Sequence, residues 1–141
     1  MAARLLLVDD NKLGLSARRA VMEELGYDVI STTCPREAVR LAEEKAVDLV
    51  ITDYRMPGMS GSEMIAALRE RGFERPVILI SGFVDALGLN EENTGADAVI
   101  QKSAHEVTHM VRSVKALLKP KAARKPPRSQ GGAAVPRRKK A

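Results

Sequence analysis

Two adjacent carboxylates, Asp9 and Asp10, close an unbroken apolar run, Leu5–Leu6–Leu7–Val8, and a second run, Leu49–Val50–Ile51–Thr52, closes on Asp53. Further along, an apolar run over residues 77–80 ends on Ser81, and a strand-like stretch over 98–101 ends on Lys102. As parallel strands, these runs would send all five groups to one edge of a sheet, where α/β proteins build their sites. Three carboxylates in a small volume repel one another, so such a cluster has raised pKa values or holds a hard cation such as Mg2+. The ammonium and hydroxyl groups complement it. Acids can hold the cation, the cation and Lys102 can neutralise a phosphoryl group, and Ser81 can donate to one of its oxygens. That chemistry is phosphoryl transfer, driven by positioning and charge stabilisation.

The elements that must position these residues are legible from periodicity. Residues 11–25 have helical period, with Ala17, Val21, Met22 and Leu25 on one stripe and Gly26 placed to end the helix. Asp28–Thr32 reads as a second strand, and Pro35 opens a helix to about Lys45 with Ala38, Val39, Leu41 and Ala42 inward. After the strand that ends on Asp53, Met56–Pro57–Gly58–Met59 is a loop. Ser60 and Glu63 then have the spacing of a capping box, Ile65 and Leu68 give the next helix its buried face, and Gly72 ends it. The weakest helix spans 84–94, where Gly88, Asn90, Asn93 and Thr94 are poor helix formers. Ser103 and Glu106 suggest a second capping box, opening a last helix with Val107, Met110, Val111, Val114 and Leu117 along its stripe.

Five strands alternating with five helices imply an α/β fold, a doubly wound parallel sheet covered on both faces. Strands that are apolar at successive positions support burial on both sides. Aromatic residues make up 3% of the 141 residues, so the core is aliphatic. No apolar stretch approaches the roughly 18 residues that span a bilayer, and the amino terminus does not read as a signal peptide. One cysteine, Cys34, excludes an internal disulfide and fits a reducing cytoplasm.

The net charge of +5 divides unevenly. Residues 119–141 carry nine of the 23 basic side chains, four of the seven prolines and no acid, leaving 14 basic residues against all 18 acidic ones before them. The chain therefore reads as a mildly acidic domain, 1–118, followed by a basic tail, 119–141, expected to be disordered because it has too few apolar residues to offset its conformational entropy.

Several stretches strongly resemble the receiver domain of two-component response regulators, the CheY-like family. They are Leu7–Val8–Asp9–Asp10, the eleven residues from Asp53's strand into the next helix (Ile51–Thr52–Asp53–Tyr54–Arg55–Met56–Pro57–Gly58–Met59–Ser60–Gly61), Ile80–Ser81–Gly82, and Gly95–Ala96–Asp97 leading to Lys102. The resemblance covers about residues 4–118. It implies a flavodoxin-like fold with strand order 2-1-3-4-5. It also implies that Asp53 is the phosphoacceptor, attacking a phosphohistidine on a partner histidine kinase or phosphotransfer protein. Mg2+ would be held by Asp10 and Asp53 directly, by Asp9 through water, and by the Arg55 backbone carbonyl, while Ser81 and Lys102 engage the phosphoryl group. Such a protein is not a kinase; it catalyses its own phosphorylation and dephosphorylation, and signals by binding a downstream protein. Two positions depart from the pattern. Val99 stands where receivers carry Tyr or Phe, and Ser103 follows the lysine where proline in a cis peptide is common, so a trans or strained bond is expected there. Arg55 and Phe83 flank the pocket at positions that tune phosphoryl lifetime in the family.

Other residues carry blander readings. Asp9–Asp10 alone would suggest a helix N-cap. His105 and His109, four apart on the last helix, lack a third ligand nearby and read as exposed rather than as a zinc site. Cys34 lacks a partner, and the methionines fit core filling. The tail could meet nucleic acid or an anionic surface, which makes a receiver-regulated nucleic-acid binder the alternative function, although no aromatic interleaves its charges. An aspartyl-phosphate phosphatase on the same fold is a third reading, disfavoured because Asp10 directly follows Asp9.

Overall fold

A computed structural model describes residues 2–119. Residues 120–141 lie outside the described residues, and with them nearly all of the basic tail and the readings attached to it.

The chain alternates strand and helix: β1 (Arg4–Val8), α1 (Lys12–Glu24), β2 (Asp28–Thr32), α2 (Pro35–Glu44), β3 (Leu49–Asp53), α3 (Gly61–Glu70), β4 (Val77–Ser81), α4 (Val84–Leu87), α5 (Glu91–Thr94), β5 (Ala98–Gln101) and α6 (Glu106–Leu117). All strand pairs are parallel, in the order β2-β1-β3-β4-β5. Side chains alternate across the pleat, so successive apolar residues feed opposite layers. Leu5 and Leu7 pack with Leu15 and Met22 of α1 and with Met110 and Val114 of α6. Leu6 and Val8 pack with Ala38 and Ala42 of α2 and with Ile65 and Leu68 of α3. A strand buried on both faces cannot alternate polar and apolar residues, which is why these runs are continuous.

Three sequence expectations need correction. The segment 84–94 forms two short helices, not one, so the fold has six helices. Gly88 adopts a left-handed conformation that stops α4, and Asn90 restarts the chain with a reciprocal cap to Asn93. On α1 the buried stripe is Leu15, Arg18 and Met22, whereas Ala17 and Leu25 are exposed. The box expected at Ser103 and Glu106 is absent; His105 is the α6 N-cap without a side-chain bond, and Val107 is exposed. The box at Ser60 and Glu63 does form.

The turn leaving β3 is closed by backbone. The Gly61 amide donates to the Tyr54 carbonyl at 2.7 Å, and Gly61 is buried against the β3 terminus. A Cβ there would collide with the Asp53 carbonyl oxygen, which is backbone and cannot yield as a side chain would. Gly61→Ala is therefore expected to destabilise the fold by about 1–3 kcal/mol, the usual penalty of overpacking. Urea denaturation checks this, and an unchanged midpoint would contradict it.

Candidate functional site

The parallel sheet delivers the carboxyl ends of β1, β3, β4 and β5 to one edge, at the switch point where β1 lies between β2 and β3. Register sets the placement within that edge. Val8 pairs with Thr52, so Asp9 and Asp53 follow in step. Asp53 pairs with Ile80, and Ser81 lies one residue beyond. Ser81 pairs with Gln101, which precedes Lys102, and the Lys102 amide donates to the Ser81 carbonyl at 2.9 Å.

Asp9, Asp10 and Asp53 thus converge, each offering a carboxylate oxygen within 4.8 Å of the others. Their environments differ. Asp9 is 1% exposed, and both of its oxygens are engaged: Oδ1 accepts from the Asn11 amide at 2.9 Å and Oδ2 from Arg18 Nη1 at 2.8 Å. Asp10 is exposed and has no side-chain partner among the described residues. Asp53 is buried; its Oδ1 accepts from the Tyr54 amide at 2.9 Å, and its Oδ2 lies 3.5 Å from Lys102 Nζ. Helix α1 is capped by Asn11, whose side chain accepts from the Leu13 and Gly14 amides, so neither neighbouring acid is needed as a cap. Buried Ser81 Oγ accepts from the Phe83 amide at 3.0 Å, which leaves its own proton free to donate.

Burial dominates the ionisation of Asp53 and pushes its carboxyl above the ordinary carboxylate value. Lys102 pulls it down, Asp9 pushes it up, and the Tyr54 amide and Arg18 pull it down, leaving a net rise.

Beside the acids lies an open cleft of about 580 Å³, lined by Asp10, Tyr54, Arg55, Met56, Pro57 and other residues. At the rim, the Arg55 guanidinium lies 4.3 Å from the centre of the Phe83 ring, a cation–π contact. Val99 is half-buried against the layer that contains α2 and α3. The Lys102–Ser103 bond is trans. His105 and His109 are exposed, with ring centres 6.5 Å apart. Cys34 is free and exposed, whereas Met22, Met56, Met64 and Met110 fill the core.

The donor set suits a hard divalent cation. Oxygens around one Mg2+, with bonds of about 2.0–2.1 Å, lie no more than about 4.2 Å apart, so these carboxylates need only a small adjustment. Asp10, exposed and without a side-chain partner among the described residues, is the most available of the three.

Two residues of this edge escape a sequence reading. Arg18 is 6% exposed; it carries the Asp9 bond and reaches Glu106 Oε2 with Nη2 at 3.4 Å. Its place three residues after Leu15 and four before Met22, on the buried stripe, is the signal that could have found it. Glu106 is the other, drawn to Arg18 instead of to a cap.

A five-stranded parallel sheet with an acidic trio and a lysine on its carboxyl edge defines a doubly wound α/β protein with a charged site at its switch point. The family pattern of the response regulator receiver domain matches residues 5–115, and the chain belongs to that family, the receivers of two-component systems. It is 32% identical to the polar-differentiation response regulator DivK of Brucella ovis, over 84% of this chain and 98% of that protein. It is 30% identical to the alkaline phosphatase synthesis transcriptional regulatory protein PhoP of Bacillus subtilis, over 81% of this chain but only 49% of that regulator, so the chain spans about half of PhoP's length. The crystal structure of the response regulator TrrA from Thermotoga maritima, in complex with Mg2+–BeF, superposes with a TM-score of 0.73 at 28% identity, covering 82% of this chain and 99% of that one. No described helix is long and apolar enough to cross a membrane.

The raised Asp53 value has a sign that can be tested without metal. The folded protein binds a proton at Asp53 more readily than the unfolded chain does. That contribution to stability is full below the ordinary carboxylate value and is lost as pH rises through the raised folded one. In chelator at pH 7, Asp53→Asn is expected to melt a few degrees above wild type, and the gap should shrink as pH falls toward the ordinary carboxylate range. A gap that is constant across pH, or reversed at pH 7, would contradict this.

Proposed function

We propose that the chain is a phosphorylatable receiver in which Asp53 accepts a phosphoryl group from a histidine kinase or phosphotransfer protein. The observation that carries the reading is the pairing of a three-carboxylate cluster within 4.8 Å with Lys102 Nζ at 3.5 Å from Asp53 Oδ2. A carboxylate oxygen of Asp53 attacks phosphorus, the N–P bond to the donor imidazole breaks, and its electron pair stays on the imidazole nitrogen. The product is an acyl phosphate on Asp53. Lys102 pairs with the added charge, and Ser81 donates its hydroxyl proton to a phosphoryl oxygen. Asp10 and Asp53 would hold Mg2+ together with the Arg55 carbonyl, and Asp9, with both oxygens already engaged, would act through water. When bound, Mg2+ supplies the positive charge that lets an anionic carboxylate approach an anionic phosphoryl group. The Mg2+–BeF complex of TrrA supports the choice of cation.

The chain is proposed to depend on a kinase in trans and to signal by phosphorylation-dependent binding of a protein. Its similarity to the response regulator DivK over 98% of that protein supports this reading. Val99 in place of an aromatic residue argues for a readout that does not use a ring changing rotamer at that position. Arg55 and Phe83, in cation–π contact at 4.3 Å, hold the positions expected from the family to tune acyl-phosphate lifetime, and the reading gives them that part here.

Incubation with Mg2+ and acetyl phosphate, followed by intact mass measurement, is expected to add one phosphoryl group to the wild type and none to Asp53→Asn. Lys102→Ala is expected to slow the gain by about 10²-fold, the scale of losing one charge-stabilising group. A phosphoryl group on Asp53→Asn, or wild-type labelling undiminished by chelator, would overturn the assignment.

A further inference from the structure

Arg18 is the only buried Lys or Arg among the described residues. Its guanidinium bonds Asp9 Oδ2 at 2.8 Å through one arm and Glu106 Oε2 at 3.4 Å through the other. It therefore links α1, the end of β1 and the first turn of α6 at a single charged plane. A guanidinium stays protonated in any folded environment, and a buried pair of this kind resists being broken because the partner would keep an uncompensated charge. The cation is thus a permanent part of the acidic edge.

We propose that Arg18 is a positioning residue that sets the divalent-cation affinity of this site. The inference rests on the Mg2+ reading given above and deepens it. Without Arg18, three carboxylates would face Lys102 alone. With it, Arg18 and Lys102 stand against the three aspartates, with Glu106 at 3.4 Å offsetting Arg18 in part, and the field that attracts a dication is reduced. Arg18 also occupies the Asp9 oxygen Oδ2, while the Asn11 amide holds the other, so Asp9 is turned from a ligand into a fixed anchor. Glu106 engages the second arm and keeps the guanidinium from swinging toward solvent. The receiver is therefore tuned to bind its cation weakly in the resting state, by a charge that touches Asp9 and opposes the dication without contacting it.

A tie between α1 and α6 with no further role would lower stability on removal but leave cation affinity alone, and calorimetric titration of the full chain with MgCl2 separates the two. Arg18→Gln keeps a donor for Asp9 without the charge, and Arg18→Leu removes both; each is expected to tighten Mg2+ binding about tenfold or more, the scale of deleting one nearby positive charge. Arg18→Gln guards against misfolding of the leucine variant. Glu106→Gln, which frees the second arm and removes a negative charge, is expected to weaken binding about two- to threefold in the wild type and to have less effect in the Arg18→Gln background. Equal affinity in wild type and Arg18→Gln, or weaker binding in the variant, overturns the inference while leaving the cation site standing. Absence of Mg2+ binding in both overturns the site and the inference together.

Discussion

The structure depends on a consequence of parallel pairing: every strand delivers its carboxyl end to the same edge. Side chains that follow the strands in sequence then share one small volume whatever their mutual repulsion. Asp9, Asp10 and Asp53 are brought within 4.8 Å of one another by this geometry, not by attraction. The aliphatic layers on both faces hold the strands in register and absorb the electrostatic penalty. Leu6, Val8, Val50 and Leu79 on one side, and Leu7, Ile51, Ile78 and Ile80 on the other, are all essentially excluded from solvent. A one-residue slip of β3 against β1 would exchange its faces and move Asp53 out of the cluster.

What the edge does follows from how its charge is balanced. Lys102 stands opposite Asp53 just past the end of the last strand, and Arg18 on the first helix bonds Asp9. The two bases play different parts. Lys102 is partly open to solvent and can turn toward an arriving anion, whereas Arg18 is enclosed and committed to Asp9 and Glu106. Asp10, with no side-chain partner among the described residues, and Asp53, held by one amide and a lysine at 3.5 Å, are the less committed of the three. Three acids of similar position thereby differ in environment, and the proposed function assigns them in turn the parts of anchor, ligand and nucleophile.

The positions of the carboxylates, Ser81 and Lys102 at one edge were legible because each stands at the end of a strand-like stretch, a strictly local pattern. The doubly wound parallel sheet was legible from continuous runs between amphipathic segments, whereas its order, β2-β1-β3-β4-β5, was expected only from the resemblance to receivers. What escaped is non-local. Arg18 looks like a surface residue to any scale that counts it as polar; it is buried because acids 9 and 88 residues away meet it. Glu106 had the spacing of a cap, and the tertiary ion pair won over the local bond. The segment 84–94 was too weak in propensity to specify one helix, and Gly88 with Asn90 divided it. The exposed positions of Ala17 and Leu25 show the limit of assigning a stripe when a buried arginine shifts its centre.

The central claim is that the four strand ends form one cation-responsive site. Amide chemical shifts followed by NMR during a Mg2+ titration of the full chain test it most directly. The account predicts saturable shifts concentrated at residues 9–11, 53–55, 81–83 and 102, all fitting a single binding curve. Shifts confined to other regions, such as the His105–His109 turn, or separate curves for the four strand ends, would contradict it.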